Sequence, residues 1–303
     1  MAQASPIKDH ILMHGIVLIW GYTGIIGKWS ELGAEFLVLL RMLTAFLALF
    51  LYSVLVAQKR TIAKNTIKQY LSYVLVGTIV AGHWVTFFGA IKAANVSVAL
   101  ACMASTSVFA ALLEPIFFRR RFSLLELTTS IIAGLGILLI FDTAGSFYLG
   151  IILALISSLL GAIFTILNGK LLAEGGNATT ITQFEMLGGC LLLIIYGLLG
   201  GFDLGAAIES LNTVEFLIAA FLGVVCTAIP FTLSIVVMRS LSPFTICLST
   251  NLEPVYAIGL ALLHFGDSER MNPFFYLAAT MIIGSVIVNG LYSQYLKKKQ
   301  TLT

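Results

Sequence analysis

The chain has 303 residues, of which 59% are hydrophobic and only 10% charged. Soluble domains carry about a quarter charged residues, so lipid must solvate so apolar a surface, and crossings of roughly 20 residues each leave no length for a soluble catalytic domain. The net charge of +3 is small and unevenly placed, which argues against a nucleic-acid partner.

Apolar runs bounded by charges or turn residues predict ten spans, at 10–27, 35–56, 69–91, 94–118, 124–141, 147–169, 180–199, 214–238, 243–264 and 273–296. They are read as helices because a lipid-exposed backbone must satisfy its own polar groups. The first run lacks a small-residue cleavage site and is taken as the first span rather than a leader. It carries Trp20, Tyr22 and Thr23 beside Gly21, Gly24 and Gly27, whose spacing suits close helix approach. The stretch from Gly21 to Lys28 does not make a phosphate-binding loop, because Trp29 stands where Ser or Thr is required.

Charged or polar side chains inside spans are costly, and by default they mark function. Arg41 lies within span two, and His83-Trp84 deep within span three, where Trp84 is expected to form a cavity wall able to stack on a substrate. Glu114 falls one turn from Arg119–Arg121 and is attributed to local pairing. Span six bears a stripe of Ser158, Gly161, Thr165 and Asn168, and span seven carries Glu185. In span nine, Thr245, Ser249, Glu253 and Tyr256 follow 4-4-3 spacing and are expected to share one face lining a cavity, with Glu253 binding a substrate ammonium or a proton. The four cysteines are scattered through apolar runs, and no motif calls for a metal, a cofactor or catalysis.

Sorting the loops by side leaves 13 of the 17 basic residues on the N-terminal side and three (Lys28, Lys92, Arg270) on the other, with Arg41 in the membrane. The positive-inside rule then puts both termini in the cytoplasm of a multi-pass protein of the cell membrane. The chain also repeats itself. Phe88–Ser107 aligns with Ile235–Pro254, Lys92 falling on Arg239, and Arg41-Met42-Leu43 aligns with Glu185-Met186-Leu187. Five spans per half is an odd number, so residues 1–143 and 144–303 are expected to be inverted five-helix repeats around a central cavity. Arg41 and Glu185, equivalent and opposite in charge, are candidates for an ion pair between the halves.

The run from Asn251-Leu252-Glu253-Pro254 to Phe265-Gly266-Asp267 resembles the hallmark of EamA-type members of the drug/metabolite transporter superfamily, in which an acid follows the span's proline by about 13 positions. Asp267 departs mildly from the family's Glu. In the first half Ser107 replaces the proline, Arg120 stands at the acid's position, and Leu113-Glu114-Pro115 comes eight residues late. The resemblance implies ten helices in two inverted repeats, with spans 1, 3, 4, 6, 8 and 9 around a central cavity and with export or exchange of metabolites such as amino acids. The expected function is therefore a secondary transporter whose partners are a small-molecule substrate and the bilayer. A non-transporting scaffold subunit, marked by a well-packed centre, and an intramembrane enzyme are the alternatives. Substrate, coupling ion and oligomeric state are not legible in the residues.

Overall fold

The computed structural model describes residues 6–55, 66–119 and 147–300, together with scattered residues between 121 and 139. Among the described residues the regular elements are all helical, without strands. The helices are α1 (Pro6–Trp29), α2 (Ala34–Leu55), α3 (Ile67–Ala93), α4 (Val96–Met103), α5 (Thr106–Phe117), α6 (Tyr148–Ala173), α7 (Ala178–Leu198), the short α8 (Leu204–Glu209), α9 (Thr213–Gly223), α10 (Ile229–Val237), α11 (Pro243–Thr250), α12 (Glu253–Phe265) and α13 (Pro273–Gln300). Among the described residues, seven helical stretches are long and apolar enough to cross a membrane, α4–α5 and α9–α10 each counting as one. The predicted fifth span lies largely outside the described residues, as does Arg120.

Side chains set the helix starts. Thr66, Asn95, Asn177, Asn212 and Ser242 each accept a backbone N–H of the first turn, which satisfies a donor that the helix itself leaves open. Thr66 and Gln69 complete a capping box. The short α8, between α7 and α9, was not foreseen.

Two predicted spans are broken. Span four divides at Ala104-Ser105 into α4 and α5, and span nine at Asn251-Leu252 into α11 and α12. The breaks fall at positions that the internal alignment matches, yet their chemistry differs. In the second half Pro254 is the second residue of α12 and cannot donate back to the preceding turn. In the first half the hydroxyls of Ser105, Thr106 and Ser107 donate to the carbonyls of Cys102, Met103 and Ala104, competing with helical pairing. The serine that replaces the proline therefore keeps the break by another route.

A π-helical turn, Val224–Ala228, joins α9 to α10. Pro230 has no N–H to offer the Cys226 carbonyl, four residues back, so that oxygen loses its ordinary α-helical donor.

Close packing depends on glycine. A β-carbon on Gly77 of α3 would fall 2.0 Å from the Glu185 carbonyl oxygen, and one on Gly188 of α7 would fall 2.1 Å from that of Val74. The two helices thus cross backbone to backbone, and each contributes one of the glycines. Gly27 makes room for the Phe88 ring in the same way. Asp9, near the start of α1, accepts a hydrogen bond from Ser240, while Lys28 at the other end of α1 pairs with Glu269. The turn before α11 and the turn after α12 therefore lie at opposite ends of the bundle.

Candidate functional site

A cavity of about 90 Å³ lies at the centre, room for several waters or one small metabolite. Its wall takes residues from α1, α3, the α4–α5 break, α6, α10 and the α11–α12 break, with Arg41 of α2 closing one side. These are the six spans that the resemblance places around the cavity, plus one.

Of the predicted candidates, Trp20, His83, Trp84, Thr165, Asn168 and Glu253 line this space. Tyr22 and Tyr256 do not, being 39% exposed on the outer surface. Thr245 and Ser249 do not either: Thr245 bonds the Ser242 cap, and Ser249 donates to the Thr245 carbonyl within α11. The expected face of span nine assumed an unbroken 3.6-residue period. With the break at Asn251-Leu252, the residues presented to the cavity are Ile246, Cys247, Thr250, Glu253 and Pro254. Glu253 is the first residue of α12, so its carboxylate sits at a helix N-terminus inside the bundle, where unpaired N–H groups favour negative charge.

Arg41 is 1% exposed. Its Nε donates to Thr227 Oγ1 at 2.6 Å, and its Nη2 approaches the Cys226 carbonyl, the oxygen that Pro230 deprives of its α-helical donor, at 3.5 Å. Thr227 is held in turn by donating to the Leu222 carbonyl at 2.7 Å. The guanidinium lies 4.1 Å above the Trp84 ring, a cation–π contact. Its Nη1 has no hydrogen-bond partner among the described residues, and Arg41 is one of the residues that border the cavity.

The expected Arg41–Glu185 pair does not form, because Thr227 and Cys226 take the guanidinium while Glu185 stays in the α3–α7 crossing. The carboxylate that shares the cavity lining with Arg41 is Glu253. Trp84 also departs from expectation. It borders the cavity but is 6% exposed, with Arg41 on its face and Phe231 against it edge-on at 5.8 Å, so little of the ring is left for a substrate.

His83 is bonded rather than free. Its Nδ1 lies 2.8 Å from the Ser157 carbonyl and 2.9 Å from Ser157 Oγ on α6, and Phe164 meets the ring edge-on at 5.2 Å. Trp84, Phe164 and Phe231 form a continuous aromatic wall. Sequence reasoning missed Thr227, Phe164, Phe231 and Thr106. Pro230 in an otherwise apolar span was the legible sign of a carbonyl without its α-helical donor.

Both ends of the bundle close through an acid on a helix N-terminus. Glu269 is fully buried, accepts from the Val96 and Ser97 N–H groups of α4 at 3.0 and 2.8 Å, and pairs with Lys28 at 2.7 Å. Asp267, the position singled out by the sequence hallmark, is instead exposed and pairs with exposed Arg270. At the other end, Glu114 accepts from the Phe244 N–H of α11 at 2.7 Å, a long-range role beyond the local pairing expected of it. Next to Glu269, Glu215 accepts from Ser30 Oγ and the Glu31 N–H, and Lys92 donates to the Ser30 carbonyl.

The profile of the EamA-like transporter family matches residues 8–142 and again residues 148–291. An "Uncharacterized transporter YdfC" of Bacillus subtilis (strain 168) is 24% identical over 295 residues, covering 95% of this chain and 90% of that protein. A crystal structure described only as that of a protein superposes with a TM-score of 0.69 at 15% identity, covering 96% of this chain and 99% of the other, a likeness of fold.

Proposed function

The chain belongs to the EamA-like transporter family, and from that premise we propose that it is a secondary transporter exporting amino acids or similar small zwitterionic metabolites by alternating access. The observation that carries this reading is the pairing of opposite charges around the cavity. Arg41 offers an unpartnered Nη1, and Glu253 offers a carboxylate on the α11–α12 break. A small zwitterion can satisfy both, its carboxylate on the guanidinium and its ammonium on Glu253, with the aromatic wall against its apolar part. The lined cavity favours transport over a scaffold role, which would call for a filled centre.

The residue sequence supports an inverted ten-helix arrangement with cytoplasmic termini, through its 13-to-3 basic asymmetry and its five-span halves. Two features of the fold agree with it. Helix breaks occur at matched positions of the two halves, and an acid from each half holds a helix start of the other at opposite ends of α1. Such reciprocal contacts can release in turn, opening the cavity to one side and then the other.

The test is exchange of a radiolabelled amino-acid panel in proteoliposomes, with and without a pH gradient. Saturable exchange of zwitterionic amino acids is expected. Exchange confined to other solute classes, or none across the panel, would overturn the assignment.

A further inference from the structure

The cavity accounts for Arg41 and Glu253 but not for Glu185. This side chain is fully buried in α7, at the glycine-mediated crossing with α3, and among the described residues neither carboxylate oxygen has a hydrogen-bond partner. The Asn168 amide is its polar neighbour, and Asn168 Oδ1 has no donor among the described residues. Asn168, 1% exposed, borders the central cavity. Adjacent buried oxygens of Glu185 and Asn168 that find no partner among the described residues, on an acid with no cation in contact, make an arrangement in which an ionised carboxylate is poorly compensated in a medium of low dielectric.

We infer that Glu185 is a proton-binding site coupled to the central cavity through Asn168. Resting on the transporter reading, it names the ion that accompanies the substrate. A proton on Glu185 converts an acceptor-only group into a donor, and its O–H can serve the Asn168 carbonyl oxygen. The proton arrives from and leaves to cavity water on the far side of Asn168, and no bond other than O–H is made or broken.

The groups around Glu185 leave it little other compensation. From α3 come Tyr70, whose ring lies against Phe184, and Tyr73, whose hydroxyl is also buried and unpartnered. His83, further along α3, is held by Ser157. From α2 the charged group is Arg41, engaged by Thr227. From α6 and its end come Lys170 and Glu174, both exposed to solvent, and α10 carries no titratable side chain. Because Glu185 sits where a helix of each half crosses, any rocking of the halves changes its surroundings, so its proton occupancy and the conformation are linked.

The site can be read without knowing the substrate, by infrared difference spectroscopy of the reconstituted protein during a pH titration. A protonated-carboxyl C=O band is expected in the unmodified protein and in Glu253→Gln, and should be lost in Glu185→Gln. Asn168→Ala should keep the band but move its frequency, since its hydrogen-bond partner is gone. Persistence of every such band in Glu185→Gln, or an unmoved band in Asn168→Ala, would overturn the inference. Pyranine-loaded liposomes add the coupling readout. Proton movement accompanying amino-acid flux should vanish in Glu185→Gln, and flux-linked proton movement that survives the substitution would equally overturn it. A titrating Glu185 band with no amino-acid flux would instead count against the transport assignment alone.

Discussion

The Lys28 ammonium lies 2.7 Å from the carboxylate of Glu269, which has no exposure to solvent. The same carboxylate takes two backbone N–H groups at the start of α4, and the Lys28 ammonium also lies 4.2 Å above the Phe265 ring. Glu269 thus ties the last turn of α1, the start of α4 and the turn after α12 in one contact. Replacing it with alanine strands two N–H donors and a partly buried cation. We expect Glu269→Ala to lose about 3 kcal/mol of stability and Lys28→Met about 1 kcal/mol, since the lysine retains access to water. Thermal melting of both variants in detergent checks the order.

Arg41 is held by geometry as much as by charge. Lysine at this position keeps the charge but cannot reach Thr227, the Cys226 carbonyl, the Trp84 face and a substrate together. Arg41→Lys should therefore lower amino-acid exchange by about tenfold or more, the value of one to two charge-assisted hydrogen bonds. An Arg41→Lys protein exchanging at the unmodified rate would remove the guanidinium from the proposed site.

Glu253→Gln keeps the size and place of the side chain at the head of α12 and removes its charge. Exchange of zwitterionic amino acids should fall by about tenfold or more on the same footing. Full exchange with unchanged pH dependence would remove Glu253 from the substrate site.

Pro230→Ala restores an N–H opposite the Cys226 carbonyl. The π-helical turn then has a helical alternative, and Arg41 must compete for that oxygen. We expect equal or higher thermal stability together with severalfold slower exchange, a combination that simple damage to the fold does not produce.

Gly188 and Gly259 form a matched pair of tests. A methyl on Gly188 meets the Val74 backbone at the α3–α7 crossing, whereas among the described residues nothing lies within 4 Å of one on Gly259. Gly188→Ala should cost about 1–3 kcal/mol or prevent assembly, and Gly259→Ala should melt like the unmodified protein.

The apolar runs and their flanking charges were enough to locate the seven membrane-length helical stretches among the described residues to within a few residues, because lipid demands helices of a set length whatever they pack against. The same logic recovered part of the cavity: a polar side chain deep in a span must face protein or water, and Trp20, His83, Trp84, Thr165, Asn168 and Glu253 line it. Sequence spacing failed where a helix stopped being regular. Thr245, Ser249 and Tyr256 were placed with Glu253 by a period that the break at Asn251-Leu252 interrupts, and Asp267 was preferred to Glu269 by distance from a proline rather than by burial.

What the residues determined alone was a helical, multi-pass membrane protein with two related halves, since hydrophobicity and repetition are carried by the chain whatever its packing. Partnership was decided only by the tertiary structure. Arg41 has the charge to pair with Glu185, but the Cys226 carbonyl and the hydroxyl of Thr227 reach it first, and Glu185 is left in a glycine-lined crossing with Asn168. Hydrogen bonds and ion pairs act over about 3–4 Å, and only packing brings residues nearly 190 positions apart within that range.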